Sequence, residues 1–550
     1  MNDIPRWIEF DELPSTAGGF SQLFLDYLKN APATRPFYRY HFREAAGYQA
    51  VMDQILARQP DRKTLGEVLR EQNGAFGSNQ QTFENISLLE KPRTFAVVTG
   101  QQVGLFGGPL YTVFKTITAL KLARALKVRH PDCDFVPVFW VEGEDHDFAE
   151  MNGVAVPDAD GKPVTVEYLP GGLMPERNLG AIGELVFDGT LTQTLETLRA
   201  ALQKTEFTDS LMQRLSECYV PGRTFNQAFV AWMNILFKEQ GLVFLSPNHP
   251  RFKEILSPIF VKELSEFPRV SQLVIGQSAE LEKNYHAQIK TKSINLFMFH
   301  KGGRYLIEPR EHDFSLKGTR HFLTTEEMIR IARESPAQLS ANVVLRPIAQ
   351  DILLPTVAYI AGPSEIAYHA QLRPVYDYFG VTQPIIYPRA SASFLEEKVR
   401  RITEKYDVEI VDFFKDKDGI TARVVEEISN VKLDQIFGDA DRQIQEALHQ
   451  LKFGLSEVDP TLVAALENVH QKIQTSVSVL KGKAIEAQKR RNETAVRQIE
   501  KTVNALLPAG VLQERENNVT YYMNKYGPEI IRWLIRELEI ESFKHQLLPM

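Results

Sequence analysis

A histidine flanked by carboxylates, Glu144-Asp145-His146-Asp147, is the first group in this sequence whose residue types can do chemistry. An imidazole beside carboxylates can accept a proton as a general base, and carboxylate oxygens can hold Mg²⁺ together with a nucleotide. The pattern alone is unspecific, because solvated acidic loops are common. It follows an apolar run at residues 135–141, however, and we therefore take Asp145, His146 and Asp147 as catalytic candidates.

A glycine-rich segment, GQQVGLFGG at residues 100–108, is the second candidate. Its glycines allow backbone N–H groups to approach a ligand, and the helix expected after it favours an anion at its N-terminus. The segment matches neither G-x-G-x-x-G nor G-x-x-x-x-G-K-[ST], so it is no standard dinucleotide or P-loop motif. A tight strand-to-helix turn without a ligand is the alternative. The binding candidates here are Gly100, Gln101, Gln102, Gly104, Gly108 and Tyr111.

Further along the chain, two arginines adjoin prolines next to predicted strands. Arg346 and Arg389 could clamp a carboxylate or a phosphate, or could form surface ion pairs. Glu365 and His369 lie four residues apart on a predicted helix and share one face of it, either as a structural pair or towards a common crevice. Gly362, before that helix, and Arg515, in the polar cluster LQER, complete the binding candidates.

The elements that must position these residues are strands and helices in alternation. Residues 94–99 are apolar and β-branched, Pro109 stands where a first helical residue is expected, and apolar residues then recur at helical spacing. A second apolar run, residues 135–141, empties into the acidic loop. This order predicts a βαβ unit with both polar loops at the carboxyl ends of parallel strands, where open α/β sheets bind ligands.

The same arrangement recurs in the second half of the core. An apolar run at residues 352–360 is expected to form a strand, followed by Gly362, Pro363 and a helix over residues 366–378. A last strand is predicted at residues 384–387. Both Gly-Pro helix starts would then lie at one edge of one sheet, so the two loops are expected to share a crevice.

After residue 391 the pattern becomes that of long helices. Leu462, Leu466, Val469 and Ile473 recur at heptad-like spacing, and the pattern continues to residue 507, where Pro508 ends it. A helix over residues 461–507 would be about 70 Å long, more than one compact core needs. We therefore predict a protruding helical hairpin or coiled coil, with residues 431–451 as the partner helix. The domains are then 1–390, with insertions at about 155–240 and 280–335, 391–515 for the arm, and 516–550 as a helical segment that returns to the core.

Composition sets the class of protein. A chain of 550 residues with 43% hydrophobic residues can fill more than one core, and a net charge of −7 is too mild to indicate a nucleic-acid or membrane partner. Its two cysteines cannot form a thiolate zinc cluster, and no residue is assigned as a metal ligand. The polar start and the lack of a membrane-length apolar run lead us to expect a cytoplasmic protein. The basic stretch 481–501 is read first as a solvated helix face, with RNA contact as the minority interpretation.

Three segments together resemble one known family. Residues 98–122 (VTGQQVGLFGGPLYTVFKTITALKL), residues 138–148 (VFWVEGEDHDF) and residues 342–392 are similar to the cysteine ligases of bacillithiol biosynthesis, the BshC family. Local departures from its pattern at Gly107, Phe114 and His369 weaken a catalytic role for positions 114 and 369. The resemblance implies an α/β fold, with a Rossmann-like parallel-sheet core, connecting insertions and a long α-helical coiled-coil domain that forms a homodimer.

The implied reaction joins the carboxyl group of L-cysteine to the amine of glucosaminyl-malate. Since a carboxylate does not acylate an amine in water without activation, ATP, released as ADP or AMP, and Mg²⁺ are expected. His146 or Asp147 would deprotonate the amine, and Arg346 and Arg389 would bind the malyl carboxylates. The alternatives are another adenylate-forming or nucleotidyl-transferring Rossmann enzyme, and a dimeric coiled-coil scaffold that binds a nucleotide.

Overall fold

The computed structural model describes residues 6–13, 20–171, 178–311 and 313–550. Its strands are, in chain order, β1 (Trp7–Ile8), β2 (Thr94–Gln102), β3 (Asp134–Glu142), β4 (Gly153–Pro157), β5 (Pro163–Glu167), β6 (Val243–Leu245), β7 (Leu296–His300), β8 (Gly303–Pro309), β9 (Asp313–Leu316), β10 (Phe322–Thr324), β11 (Leu339–Ala341), β12 (Thr356–Ala361), β13 (Ile385–Pro388), β14 (Ser391–Leu395) and β15 (His545–Pro549).

The α-helices between them vary from single turns to long rods. In chain order they are α1 (Gln22–Leu28), α2 (Ala45–Arg58), α3 (Arg62–Ala75), α4 (Gln80–Leu89), α5 (Tyr111–Arg129), α6 (Phe148–Met151), α7 (Leu191–Ala201), α8 (Thr208–Cys218), α9 (Phe225–Leu236), α10 (Pro250–Ser265), α11 (Arg269–Leu281), α12 (Thr325–Glu334), α13 (Arg346–Leu353), α14 (Pro363–His369), α15 (Arg373–Phe379), α16 (Glu397–Tyr406), α17 (Ile410–Lys415), α18 (Lys417–Ile428), α19 (Leu433–Val458), α20 (Leu462–Arg491), α21 (Glu493–Leu506), α22 (Gln513–Glu516), α23 (Val519–Tyr526) and α24 (Ile530–Glu537).

The central sheet has the order β13-β12-β2-β3-β6, and every pairing in it is parallel. Its strands are apolar because helices cover both faces, so successive residues are buried rather than alternating. The α/β prediction and the βαβ unit are confirmed. β2 continues three residues beyond the predicted end, so Gly100, Gln101 and Gln102 are strand residues rather than loop. A Cβ on Gly100 would lie 3.0 Å from the Trp140 carbonyl oxygen, which explains glycine at this close pairing.

Three predicted boundaries near the sheet were wrong. The helix after β2 begins at Tyr111 rather than Pro109, because Pro109 forms a bridge with Asn518. Residues 352–353 end α13 instead of starting β12. The helix predicted over 366–378 is two helices, because Pro374 in the first turn of α15 has no N–H to continue a helical ladder. The Gly362-Pro363 helix start is confirmed, with Gly362 as the N-cap of α14.

In the described ranges, three further sheets accompany the central one. An antiparallel sheet of order β10-β9-β8-β7-β11 forms most of the second insertion, and β7 and β8 pair in it as a hairpin. The first insertion contains the hairpin β4–β5, followed by α7, α8 and α9. The sheet of order β1-β15-β14 was not predicted, because residues 516–550 were expected to be helical. It joins the C-terminus to β14, directly after the core.

The predicted arm is present as a helical hairpin of α19 and α20. Leu448 and Leu466 are buried between its helices, and Lys452 pairs with Glu467 at 3.0 Å across them. The second helix is interrupted at Asn492, so α20 and α21 replace the single helix that was expected. Throughout the described ranges, no helix combines the length and the apolar character that crossing a membrane requires.

Candidate active site

A cavity of about 620 Å³ opens at the carboxyl ends of β2, β3, β12 and β13, with one wall from β7, β8 and β11. This is the edge at which open α/β sheets bind ligands. Most of the predicted candidates line it: Gly100, Gln101, Gln102, Tyr111, Asp145, His146, Arg346, Gly362, Glu365, Arg389 and Arg515. Of the two Gly-Pro segments, Gly362 and Pro363 line this cavity beside the end of β2, whereas Gly108 and Pro109 do not, so the expected shared crevice is formed by only one of them.

Three predicted site residues lie outside the cavity lining. A Cβ on Gly104 would lie 2.9 Å from the Cα of Gly108, and the Gly108 carbonyl accepts a hydrogen bond from Asn518 Nδ2 at 2.6 Å. Gly104 and Gly108 let two backbone segments pack closely, which favours the tight-turn interpretation for both glycines. Asp147 is exposed and precedes α6. Its catalytic role stays a prediction.

Lys115 connects two walls of the cavity. Its Nζ is 2% exposed and donates to the Gly100 carbonyl at 2.6 Å and to Glu365 Oε2 at 2.7 Å. Burial lowers the pKa of the Lys115 ammonium, and the Glu365 carboxylate only partly counteracts this. Burial would also raise the pKa of Glu365, but Lys115 and hydrogen bonds from Gly362 N–H and Tyr359 O–H hold it below its ordinary value. The contacts of this pair fix the end of β2 against the start of α14.

Glu142, the last residue of β3, faces Arg346. Trp140 Nε1–H donates to Glu142 Oε2 at 2.8 Å, and Arg346 Nε lies 3.8 Å from the same oxygen. Burial raises the pKa of Glu142, because Arg346 offsets only part of the cost of desolvating the carboxylate. Arg346 also donates to the Tyr368 hydroxyl at 2.7 Å. A carboxyl group with a raised pKa can accept a proton from a substrate.

Asp145 and His146 are held by an arginine from the antiparallel sheet. Arg304, 5% exposed, donates to His146 Nδ1 at 3.2 Å and lies 3.5 Å from Asp145 Oδ1. Burial would raise the pKa of Asp145, but contacts with His146, Gln102 and Arg304 outweigh it and hold the pKa well below its usual range. Nδ1 also lies 3.4 Å from Asp145 Oδ1, so it accepts from Arg304 when the ring proton is on Nε2 and can donate to Asp145 when it carries a proton itself. With the ring proton on Nε2, that nitrogen is a hydrogen-bond donor.

Arg389 reaches the cavity from the end of β13, but its positive charge is already compensated by a buried glutamate. Its Nη2 donates to Glu514 Oε1 at 2.6 Å, and Ser391 donates to the other oxygen of Glu514 at 2.8 Å. Burial would raise the pKa of Glu514, yet Arg389 keeps it below its ordinary value. The LQER segment is therefore not a surface turn: Gln513 and Glu514 are buried, and Arg515 lines the cavity.

The predicted pair of Glu365 and His369 is not formed. Glu365 bonds to Lys115, whereas His369 lies behind the cavity wall, stacked on Tyr368 with ring centroids 4.8 Å apart. Burial lowers the pKa of His369 to about 3, so the ring is neutral. A site role for His369 has no support in this geometry.

Several lining residues were missed by the sequence analysis. Lys115 left a signal, being the one charged residue in the apolar helical stretch 110–120. Glu142 was read as part of the acidic loop without a role. The remaining ones come from the second insertion and the aromatic wall, whose placement no local pattern reveals: Lys290, Lys292, Arg304, Asn342, Tyr359 and Tyr368.

The types of side chain that line the cavity determine which metal ions it can hold. Across the described part of the chain, no group of three or more histidine, cysteine, aspartate or glutamate side chains is placed to hold a metal ion. Mg²⁺ that arrives on a nucleotide keeps waters and phosphate ligands and needs only one or two carboxylates. Glu142 and Asp145 line the cavity and can meet that need, whereas Glu365 is bound to Lys115.

Comparison with known proteins decides the family. The family model described as "Bacillithiol biosynthesis BshC, N-terminal Rossmann-like domain" matches residues 8–390, and that of the BshC "C-terminal coiled-coil domain" matches residues 392–550. The chain belongs to the BshC family. Proteins named "Putative cysteine ligase BshC" are 36% identical in Salinibacter ruber, over 97% of both chains, and 36% identical in Chloroherpeton thalassium, over 99% of both. One from Chlorobaculum tepidum is 34% identical over 98% of this chain and 99% of its own.

In this BshC chain the cavity draws on both family domains. Most lining residues belong to the Rossmann-like domain, but Arg515 and the partner of Arg389, Glu514, belong to the coiled-coil domain. Seven cationic side chains line the BshC cavity against three carboxylates, those of Glu142, Asp145 and Glu365. Such an excess favours ligands that carry several negative charges.

Proposed function

We propose that this protein is an amide-forming ligase, which joins the carboxyl group of L-cysteine to the amino group of glucosaminyl-malate. The carrying observation is the cationic cavity at the carboxyl end of the parallel sheet, in a chain whose relatives are named cysteine ligases. Glucosaminyl-malate brings two carboxylates and cysteine brings one, so the excess of cationic side chains matches the substrates. Burying these anions in the cavity costs free energy unless cationic side chains compensate their charge.

Amide formation requires an activated acyl group. The cysteine carboxylate attacks a phosphorus atom of ATP, forming either an acyl-adenylate with loss of pyrophosphate or an acyl-phosphate with loss of ADP. The amine then attacks the acyl carbon, AMP or phosphate leaves, and one proton is lost from the nitrogen. Mg²⁺ bound to the nucleotide supplies charge neutralisation for the leaving phosphates.

The residues divide between binding and proton transfer. Arg346 is the candidate clamp for a malyl carboxylate, because its neighbour Glu142 lies at 3.8 Å and leaves guanidinium donors available. Arg389 is ion-paired with Glu514. It therefore contributes positive potential to the cavity rather than a free guanidinium group for bidentate binding. The proton of the ammonium can go to Glu142, whose pKa burial raises, and His146 lines the same cavity as a further donor or base.

The proposal includes a homodimer formed by the arm. The α19–α20 hairpin carries exposed apolar side chains on both helices: Ile436, Leu451, Phe453, Val458, Val469, Val479 and Leu480. Exposed apolar surface of this extent on a helical hairpin favours a second helical pair as partner.

Cytoplasmic location also stays a prediction. Part of the basic stretch is ion-paired, with Lys481 bound to Asp434 and Lys501 to Asp160, which supports a solvated face over RNA contact.

The test is product formation by the purified protein. With L-cysteine, glucosaminyl-malate, ATP and Mg²⁺, mass spectrometry should find the amide, and phosphate analysis should find pyrophosphate or phosphate in equal amount. Arg346→Ala should raise the KM for glucosaminyl-malate, while the exposed Arg320→Ala should not. Nucleotide cleavage with other acids but none with cysteine would replace the proposal with another adenylate-forming enzyme. If no nucleotide is cleaved with any acid, the remaining interpretation is the dimeric coiled-coil scaffold that binds a nucleotide.

A further inference from the structure

Two cavity lysines have no carboxylate partner. Lys290 and Lys292 line the cavity from the segment between α11 and β7, and in the described ranges neither forms an ion pair, although most lining cations do. Two like charges two residues apart repel each other, and this segment contains no acidic residue between Tyr285 and Asn295 to offset them. The proposed substrates' carboxylates already have Arg346 deeper in the cavity.

The backbone that carries the lysines is anchored on both sides. The fully buried Gln371 accepts from Ile289 N–H at 2.7 Å and donates to the Ile289 carbonyl at 3.1 Å. After the lysines, Ser271 donates to the Lys292 carbonyl. The segment is thus fixed next to the cavity, while the flexible ammonium groups stay exposed. Such preorganisation reduces the ordering cost of binding an anion.

An exposed apolar side chain lines the same cavity. It is that of Val343, which is 43% exposed. Its neighbour Asn342 donates from the backbone to the Asn295 carbonyl at 3.0 Å and from Nδ2 to Asn295 Oδ1 at 2.9 Å. The segment with Val343 is therefore tied to the segment with Lys292. An exposed apolar side chain in the same cavity as two lysines without ion pairs fits a planar base attached to a chain of phosphates.

We infer that Lys290 and Lys292 bind the phosphates of a nucleoside triphosphate, whose base packs on Val343. The inference rests on the proposed function and assigns its nucleotide to the wall formed by the second insertion, leaving the end of the parallel sheet to the carboxylate substrates. The two subsites then face each other across one cavity, as acyl activation requires.

Calorimetric titration of the full-length protein tests this with three probes: adenylyl imidodiphosphate with Mg²⁺, inorganic tripolyphosphate, and L-malate. The double variant Lys290→Ala/Lys292→Ala should weaken binding of both phosphate probes roughly tenfold to a hundredfold and leave malate unchanged. Lys290→Arg/Lys292→Arg should restore phosphate binding. Val343→Ser should weaken only the nucleotide. The matched control is Lys317→Ala, an exposed lysine of the same insertion outside the cavity.

Three results would overturn the inference: wild-type protein that binds neither phosphate probe, a double variant with unchanged nucleotide affinity, or a double variant that loses malate instead. Thermal melting of each variant shows that the fold is retained. The amide-forming assay separates the two proposals. If the double variant forms product with an unchanged KM for ATP, the nucleotide subsite is wrong but the ligase proposal stands. If nucleotide binding depends on the lysines but no cysteine product forms, the ligase proposal is wrong but the subsite stands.

Discussion

The ammonium of Lys115 lies 2.7 Å from the carboxylate of Glu365, although one residue belongs to the first βαβ unit and the other follows β12. Lys115 is 2% exposed, so removal of either partner leaves the other charge in the protein interior without its counter-ion. We expect Lys115→Met to lower the free energy of unfolding by about 3–5 kcal/mol. Urea denaturation followed by circular dichroism measures this change.

A double-mutant cycle with Glu365→Gln isolates the pair. The double variant should be more stable than the sum of the single changes implies, by roughly 1–3 kcal/mol, because the two charges are removed together. Lys317→Met is the control for loss of an exposed lysine. Additive effects within about 0.5 kcal/mol would mean that Lys115 and Glu365 stabilise the cavity independently.

The tautomer of His146 gives the second prediction. If Arg304 holds the ring proton on Nε2, glutamine can replace the donor but alanine cannot. We expect His146→Ala to lower kcat by roughly 10²- to 10³-fold, the usual effect of one lost transition-state donor, and His146→Gln to retain most of the rate. Asp147→Ala, at an exposed position outside the cavity lining, should change kcat by no more than roughly twofold. Equal losses for both His146 variants, with the acidic limb of the pH profile abolished, would identify His146 as the base.

The third prediction concerns Gly143, in the acidic loop. A Cβ there would lie 2.2 Å from Asn226 Oδ1, and the Gly143 carbonyl accepts a hydrogen bond from Gly183 N–H at 2.8 Å. Gly143→Ala should therefore displace the loop that carries Glu142 and Asp145 and destabilise the protein by about 1–3 kcal/mol. Melting temperature and kcat should both fall. Gly189→Ala, where no atom lies within 4 Å of the new Cβ, should leave both unchanged.

The sequence predicted those parts of the fold that local periodicity encodes. The apolar runs of β2 and β3, the Gly-Pro start of α14 and the hairpin of α19 and α20 were all readable, because each depends on its own residues. β15 was not, since its pairing with β14 joins residues about 150 positions apart and its five residues lack strand alternation. Boundaries failed where a helix and a buried strand have the same apolar composition, as at α13 and β12.

The site was predictable to the same extent. Asp145, Gln102 and Arg346 follow or precede strands of one sheet, so topology brings them together. Arg304 could not be found, because nothing local tells that the second insertion folds back over the sheet edge. Gly104 and Gly108 show the opposite error: a glycine-rich pattern that suggests a ligand loop instead permits a close contact between backbones.

The fourth prediction concerns assembly. Phe453 and Val479 lie on the two helices of the arm and are 70% and 56% exposed. We expect the wild-type protein to have about twice the 62.6 kDa mass of the chain in light scattering, and Phe453→Asp/Val479→Asp to be monomeric with an intact core. Glu446→Gln, an exposed polar change on α19, is the control. A monomeric wild-type protein would contradict dimerisation through the arm.

The fifth prediction is a pH dependence that arises away from the cavity. Asp351 is buried at the end of α13, where its carboxylate accepts hydrogen bonds from the Tyr376 hydroxyl at 2.6 Å and from Gln350 Nε2 at 2.9 Å. Burial raises the pKa of Asp351 from 3.8 to about 6, because the hydrogen bonds offset only part of the desolvation.

A folded-state pKa above the unfolded one means that the folded protein binds more protons between these values. The contribution of Asp351 to stability is therefore fully present below pH 3.8 and is lost as the pH rises through about 6. The difference in unfolding free energy between wild type and Asp351→Asn should fall by about 3 kcal/mol between pH 4 and pH 7. Urea titrations at steps of half a pH unit measure it. Other groups cancel in the difference, so a flat profile would show that Asp351 is ionised throughout, despite its burial.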